Sequence, residues 1–120
     1  MSYKIAAASS DGKVVNQHFG RSKQFLIFEV EDNGEYRFSE LRETKPSCGL
    51  GEHHEDELQK TIDVLGDCSI VLVNQIGPGA EQALKARHIK AYSITGFIDE
   101  ALSKLIQYER RQKTFHIDKI

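Results

Sequence analysis

Ser69-Ile70-Val71-Leu72-Val73-Asn74-Gln75-Ile76-Gly77-Pro78-Gly79 is the stretch on which the architecture turns. Ile70 to Val73 is an unbroken aliphatic run, rich in β-branched residues and without polar alternation. That is the pattern of a strand buried on both faces, as in a parallel sheet. Gly77-Pro78-Gly79 then opens a helix, predicted from about Ala80 to Arg87. Pro78 suits the first helical turn, where its missing N–H is not needed. A buried strand that feeds a helix is the building unit of α/β domains.

The flanks fit the same unit. Upstream, Glu52 to Leu65 places Leu58, Ile62 and Leu65 on one helical face, with Glu52, Glu55, Asp56 and Glu57 crowding the first turns, where the helix dipole favours negative charge. Gly66-Asp67 ends this helix. Downstream, Ile89 to Ile94 reads as a short strand and Thr95-Gly96 as a turn. A third helix follows from Ile98 to about Gln107, with Ile98, Ala101, Leu102, Leu105 and Ile106 on one side. Residues 109–120 show no period and read as a loosely held tail, so the core is expected over about 3–108. The cluster Arg110, Arg111 and Lys113 is taken as a solvated helix end.

The first half of the chain is strand-rich. Lys4 to Ala8 is a small-residue strand bounded by Ser9-Ser10-Asp11-Gly12, and its alanines suggest close packing against a helix. Lys13 to Arg21 is a polar loop, in which Gly20 is expected to let the backbone turn behind His18. Gln24 to Glu31 and a strand from Tyr36 to about Glu43 flank Asp32-Asn33-Gly34, the strongest short hairpin signal in the chain. These two strands are predicted to be antiparallel neighbours. Apolar alternation in the second slips between Phe38 and Leu41, which marks a possible bulge. Thr44 to Gly51, with one Pro and two Gly, is a loop. The order β-β-β-α-β-α-β-α predicts an α/β fold: a single domain built on a mixed, mostly parallel five-stranded sheet with helices on both faces.

Composition narrows the function. A chain of 120 residues with a formal charge of −2 is one domain without a basic stripe for nucleic acid. No apolar run approaches the roughly 20 residues that span a bilayer. The N-terminus enters a strand almost at once, which reads as no signal peptide, and two cysteines make no disulfide framework. These features together read as a cytoplasmic protein with reduced thiols and no membrane contact.

Ligands of open α/β sheets bind beyond the carboxyl ends of the strands. The first strand ends in the His18 loop, and the strand Ile70–Val73 ends in Asn74 to Gly79. If these strands are parallel neighbours, both loops meet one crevice. His18 offers an imidazole for metal ligation or hydrogen bonding, and equally fits a turn histidine bonded to backbone. Cys48, His53 and His54 are a second group. Cys-x4-His-His is not a closed zinc site, but a thiolate with imidazoles suits iron–sulfur chemistry. Neighbouring helical side chains point about 100° apart, so one of His53 and His54 is expected to face the crevice. Gly77 and Gly79 at a helix start either offer N–H groups to an anion or form a tight turn. Arg21 and Lys23 flank His18, as rim charges for an anionic ligand or as ordinary solvated side chains. Cys68 reads as a packing residue, and His88 and His116 as surface.

Ser9-Ser10-Asp11-Gly12, Asn16-Gln17-His18-Phe19-Gly20, the Cys48/His53/His54 segment and Asn74-Gln75-Ile76-Gly77-Pro78-Gly79-Ala80 together resemble the dinitrogenase iron-molybdenum cofactor biosynthesis family. That family includes small carrier proteins of nitrogenase cofactor assembly and the C-terminal domain of the cofactor-precursor synthase. The resemblance spans roughly residues 3 to 108. It implies a ribonuclease-H-like layout with the second strand antiparallel to the rest. It also implies a non-catalytic carrier for the iron-molybdenum cofactor or its iron–sulfur precursor, exchanging cargo with cofactor-assembly proteins or an acceptor apo-protein. In that picture His18, Phe19, Gly20, Arg21, Cys48, His53, His54, Gly77 and Gly79 contact the cluster, with His18, Cys48 and His53 as metal ligands. The synthase's three-cysteine radical motif is absent. A nuclease on the same scaffold would need converging carboxylates, and only Asp11, Glu29 and Glu31 lie near the relevant strand ends. The competing function is a small protein-interaction or regulatory domain that keeps the fold and binds no cluster.

Overall fold

The computed structural model describes the backbone over residues 2–44 and 54–118 and the side chains over 2–44 and 57–111. The elements run β1 (Tyr3–Ala8), β2 (Val14–Val15), a 3-10 turn (Phe19–Arg21), β3 (Gln24–Val30), β4 (Tyr36–Glu43), α1 (His54–Val64), β5 (Ile70–Val73), α2 (Pro78–Ala86), β6 (Lys90–Ser93), β7 (Gly96–Phe97) and α3 (Ile98–Asp118).

β5 is buried at every position, as its unbroken aliphatic run requires. It lies parallel to β1 on one side and to β6 on the other. β3 is antiparallel to both β1 and β4, and the five strands lie in the order β4-β3-β1-β5-β6. The sheet is therefore mixed. It is not mostly parallel by pairing, because β3, joined to β4 by a hairpin, makes an antiparallel ladder on each of its edges.

The hairpin turn has a defined form. Glu31 N–H bonds Glu35 O at 2.8 Å, Gly34 N–H bonds Glu31 O at 2.9 Å, and Gly34 has φ +92°. This is a three-residue loop with glycine in the left-handed position, a common alternative to the two-residue Asn-Gly turn. The slip in alternation on β4 is a real bulge: Ile27 pairs with Glu40 but Phe28 pairs with Phe38, so Ser39 is the extra residue. The bulge keeps Tyr36, Phe38 and Leu41 on one face.

Two cores sandwich the sheet. Ile5, Ala7, Phe28, Val30, Ile70 and Leu72 pack with Ile98, Leu102 and Leu105 of α3. On the other face Ala6, Ala8, Phe25, Ile27, Val71 and Val73 pack with Ile62 of α1, Leu65 just beyond it and Leu84 of α2. Ala6, Ala7 and Ala8 are fully buried, which brings both helical layers close to the central strand.

Three features depart from the sequence reading. β2 and β7 form a separate two-stranded ribbon, Val14 with Phe97 and Val15 with Gly96, and Ile98 N–H bonds Lys13 O at 2.8 Å. Two-residue strands carry no period to read. Next, α3 continues to Asp118 rather than ending near Gln107. The apolar face stops at Ile106, but no Gly or Pro interrupts the good helix formers beyond it. The start of the expected loose tail is tied down: Tyr92 Oη donates to Glu109 at 2.7 Å, and Arg110 donates to Asn33 O in the hairpin turn. Third, α2 ends in a Schellman motif. Ile89 N–H bonds Leu84 O and His88 N–H bonds Lys85 O, both at 3.0 Å, with His88 at φ +63°.

Candidate functional site

The parallel pairing of β1 and β5 sends both chains out of the same end of the sheet. The two exits then bind each other. His18 forms a parallel β-bridge with Gln75, Phe19 N–H bonds Gln75 O at 2.9 Å, and Asn74 N–H bonds Gln17 O at 2.9 Å. The expected meeting of the two loops is thus a direct ladder of main-chain hydrogen bonds, and His18 stands exposed at its rim.

Three devices hold this turn. Below it, Phe19 is 1% exposed and tilts against Phe25 at 5.8 Å between ring centroids. Its ring belongs to the core shared with α1 and α2, so its place is beneath the site and not on the ligand-facing surface expected of it. At the loop base, buried Ser9 donates to Asp11 Oδ1 at 3.1 Å and accepts from Gly12 N–H at 2.9 Å. Asp11 Oδ1 in turn accepts from Lys13 and Val14 N–H at 2.9 and 3.2 Å. Those backbone donors hold the Asp11 carboxyl below the usual carboxylate range. Across the loop, Asn16 and Ser10 bond reciprocally, with Ser10 N–H to Asn16 Oδ1 and Asn16 Nδ2 to Ser10 Oγ, both 3.0 Å. The sequence assigns no chemical role to Asn16, Gln17 or Gln75, and to Asp11 only that of a carboxylate near a strand end. The Ser-Ser-Asp-Gly turn pattern, which marks side-chain-to-backbone bonding, is the signal for Asp11, whereas Gln17 and Gln75 act through their main-chain carbonyls and carry no local signal.

Gly20 lies inside the 3-10 turn, and positive φ occurs at Gly12, Gly34, Gly96 and His88 rather than there. Arg21 and Lys23 are both exposed beside His18. α2 begins at Pro78 with Gly77 as N-cap, and no side chain caps it. A Cβ placed on Gly77 or on Gly79 meets nothing within 4 Å. Neither glycine has positive φ, so local sterics demand neither of them. Together they leave the amides of the α2 start open at the rim that carries His18.

Cys48 and His53 lie outside the described residues. His54 is the first residue of α1, and its side chain lies outside them as well. The boundary of that segment is clear: Thr44 Oγ1 donates to Ser22 O at 3.0 Å and Thr44 N–H to Lys23 O at 2.8 Å, next to Arg21. α1 carries the chain from that end of the sheet to the other, where Ser69 N–H bonds Lys4 O at 2.9 Å. Among the described residues, no three His, Cys, Asp or Glu side chains gather into a metal-holding group.

Cys68 sits at that far end, a free thiol 4% exposed, and burial together with Asp67 pushes it up to about 12. It packs in the core shared with α1 and α2, the apolar setting that disfavours the thiolate. Beside it Arg42 grips Asp67 through two nitrogens at 2.6 and 2.9 Å and bonds Val64 O at 2.7 Å, tying edge strand β4 to the α1–β5 connection. His88 is exposed, as expected for a surface residue.

The family described as "Dinitrogenase iron-molybdenum cofactor" matches residues 1–108. The FeMo cofactor biosynthesis protein NifB of Frankia alni is 36% identical over 104 residues, which cover 84% of this chain and 20% of NifB. Protein NifX of Azotobacter vinelandii is 30% identical over 115 residues, covering 91% of this chain and 68% of NifX. The chain spans about a fifth of the length of the NifB relatives. Among solved structures, the crystal structure of PH0822 superposes with a TM-score of 0.66 at 23% identity, covering 87% of this chain and 89% of that one. That likeness concerns the fold alone. No helix among the described residues is long and apolar enough to cross a membrane.

Proposed function

This chain belongs to the dinitrogenase iron-molybdenum cofactor family, a family of cofactor biosynthesis, and from that premise we propose that it is a non-catalytic carrier. Its cargo is the iron-molybdenum cofactor or an iron–sulfur precursor of it, which it passes between cofactor-assembly proteins or to an acceptor apo-protein. The observation that carries this reading is the exposed imidazole of His18 on a turn fixed by Gln75, Phe19 and Asn16. A carrier needs few ligands, so that cargo can leave, and it needs them held still, so that little ordering cost opposes capture.

The donor set fits an anionic iron–sulfur cargo. Neutral imidazole is a good ligand to iron, and the uncapped start of α2 presents N–H groups to negative charge. Gly77 and Gly79 keep that start free of side chains. Arg21 and Lys23 add positive charge on the same rim. Cys48, His53 and His54 are assigned to the cargo as well, with Cys48 and His53 as ligands beside His18. Thr44, four positions before Cys48, is tied next to the His18 turn, which supports that assignment.

The strand order β4-β3-β1-β5-β6 with β3 reversed supports a ribonuclease-H-like layout. The free, buried Cys68 thiol is in keeping with a reducing, cytoplasmic setting.

The test is anaerobic. Protein is mixed with isolated iron–sulfur cofactor precursor and desalted, and iron content and visible spectrum are recorded for wild type and His18→Ala. Iron retained by the wild type and sharply reduced in the variant is the expected result. Equal retention by both moves the ligand to Cys48, and no retention by the wild type leaves the interaction or regulatory domain as the better account.

A further inference from the structure

The geometry points to a second copy of this chain docked along β4, edge to edge and antiparallel, so that two five-stranded sheets join. Among the described residues β4 has a strand neighbour on one side only. It is eight residues long, whereas β6 at the opposite edge has four. A long edge strand offers a row of unpaired backbone groups to another strand. It also carries apolar surface that α3 does not cover: Phe38 is 55% exposed and Leu41 50%.

Charged side chains and bulges commonly defend an edge against pairing. On β4 both features favour one pairing instead. Tyr36, Phe38 and Leu41 lie opposite Val30, Phe28 and Leu26, on the α3 side of the sheet. Arg37, Glu40 and Arg42 lie opposite Glu29, Ile27 and Phe25, on the other side. Alternation places Glu35 with them. The charges along this face therefore read minus, plus, minus, plus from Glu35 to Arg42.

An antiparallel copy reads the same row in reverse. With the two-fold axis between Phe38 and Ser39, Arg37 of each copy lies opposite Glu40 of the other, and Glu35 opposite Arg42. Tyr36 lies opposite Leu41, and the two Phe38 rings come together beside the axis. Without the bulge, Tyr36 and Leu41 would point to opposite faces and this register would fail. Shifting the axis to Glu40 sets Glu40 against itself. Shifting it between Ser39 and Glu40 sets Arg37 against Arg42, and shifting it to Ser39 sets Phe38 against Glu40. Opposite charges directly across a ladder stabilise it and like charges oppose it. Within one copy Arg37 bonds Glu29 and Glu40 bonds Arg42, yet with side chains 71% and 49% exposed both still reach the strand that would lie opposite.

Sedimentation equilibrium of the full chain tests this. The wild type gives a dimer that dissociates on dilution. Arg37→Glu and, separately, Glu40→Arg each place like charges opposite one another at two symmetry-related positions, and each raises the dissociation constant about tenfold. The double variant restores opposite charge and returns the constant close to wild type. A wild type that stays monomeric, single variants that dimerise normally, or a double variant no better than the singles overturns the proposal. Hydrogen exchange on the wild type is independent of any variant's folding: the β4 amides that do not bond β3 gain protection as concentration rises, and protection independent of concentration overturns it equally.

Discussion

Phe19→Ala removes the ring beneath the His18 turn and leaves every main-chain bond of that turn chemically possible. Phe19 is 1% exposed, lies among the largest fully buried side chains and packs on Phe25 at 5.8 Å. Truncating a buried phenylalanine costs about 3–5 kcal/mol, the sum of lost transfer energy and the cavity left behind. A domain holds only about 5–15 kcal/mol in total. For a chain of this length about 4 °C of melting temperature accompanies each kcal/mol, so the melt falls by roughly 12 to 20 °C. Urea unfolding followed by far-UV circular dichroism, with the slope compared between proteins, measures the loss. Phe19→Leu keeps most of the volume and costs about 1 kcal/mol, which preserves a folded protein for cargo binding. If the turn is held from below, that variant retains less iron than wild type while remaining folded. A loss under about 1 kcal/mol for Phe19→Ala would refute the anchoring role.

Two further outcomes follow from features away from the site. His88→Gly relieves a left-handed, non-glycine residue at the end of α2 and is expected to stabilise the fold by about 0.5–1 kcal/mol, read as a higher urea midpoint. Asp67 is held well below the usual carboxylate range, first by its hydrogen bonds from Arg42, so its contribution is fully present above the ordinary aspartate value and is lost as pH falls toward the depressed one. Because its side chain is 47% exposed, Asp67→Asn costs about 1 kcal/mol at neutral pH, and the gap to wild type in urea midpoint closes as the pH drops below about 4.

The sheet was legible where residues repeat a pattern. Ile70 to Val73, the hairpin around Asn33-Gly34 and the slip between Phe38 and Leu41 each leave a signal several residues long, and each has its structural counterpart. What stayed hidden involves partners far away in sequence. Val14 and Val15 become a strand only because Gly96 and Phe97 arrive beside them. Phe19 sits in a polar stretch, and nothing local says that its ring turns inward toward Phe25. α3 outlasts its apolar stripe because propensity alone sustains a helix once packing has nucleated it. At the candidate site, His18 was readable as a loop residue between two strands. The bonds that fix it, from Gln75 and Asn74, depend on strand adjacency that no short window contains.

The β2–β7 ribbon has a consequence for the order of events during synthesis. It joins positions about eighty residues apart, and Ile98 closes the same loop from the start of the last helix. Contacts of such separation form late, because the closure entropy of the intervening chain must be met first. A nascent chain can raise the β3–β4 hairpin early and bond the His18 turn to Gln75 once β5 follows, yet the stem of that loop, Lys13 to Val15, stays unclasped until Gly96 to Ile98 have left the ribosome. The stem beneath His18 thus closes in one late step, and a chain cut short before β7 would hold every strand of the main sheet with that stem still open.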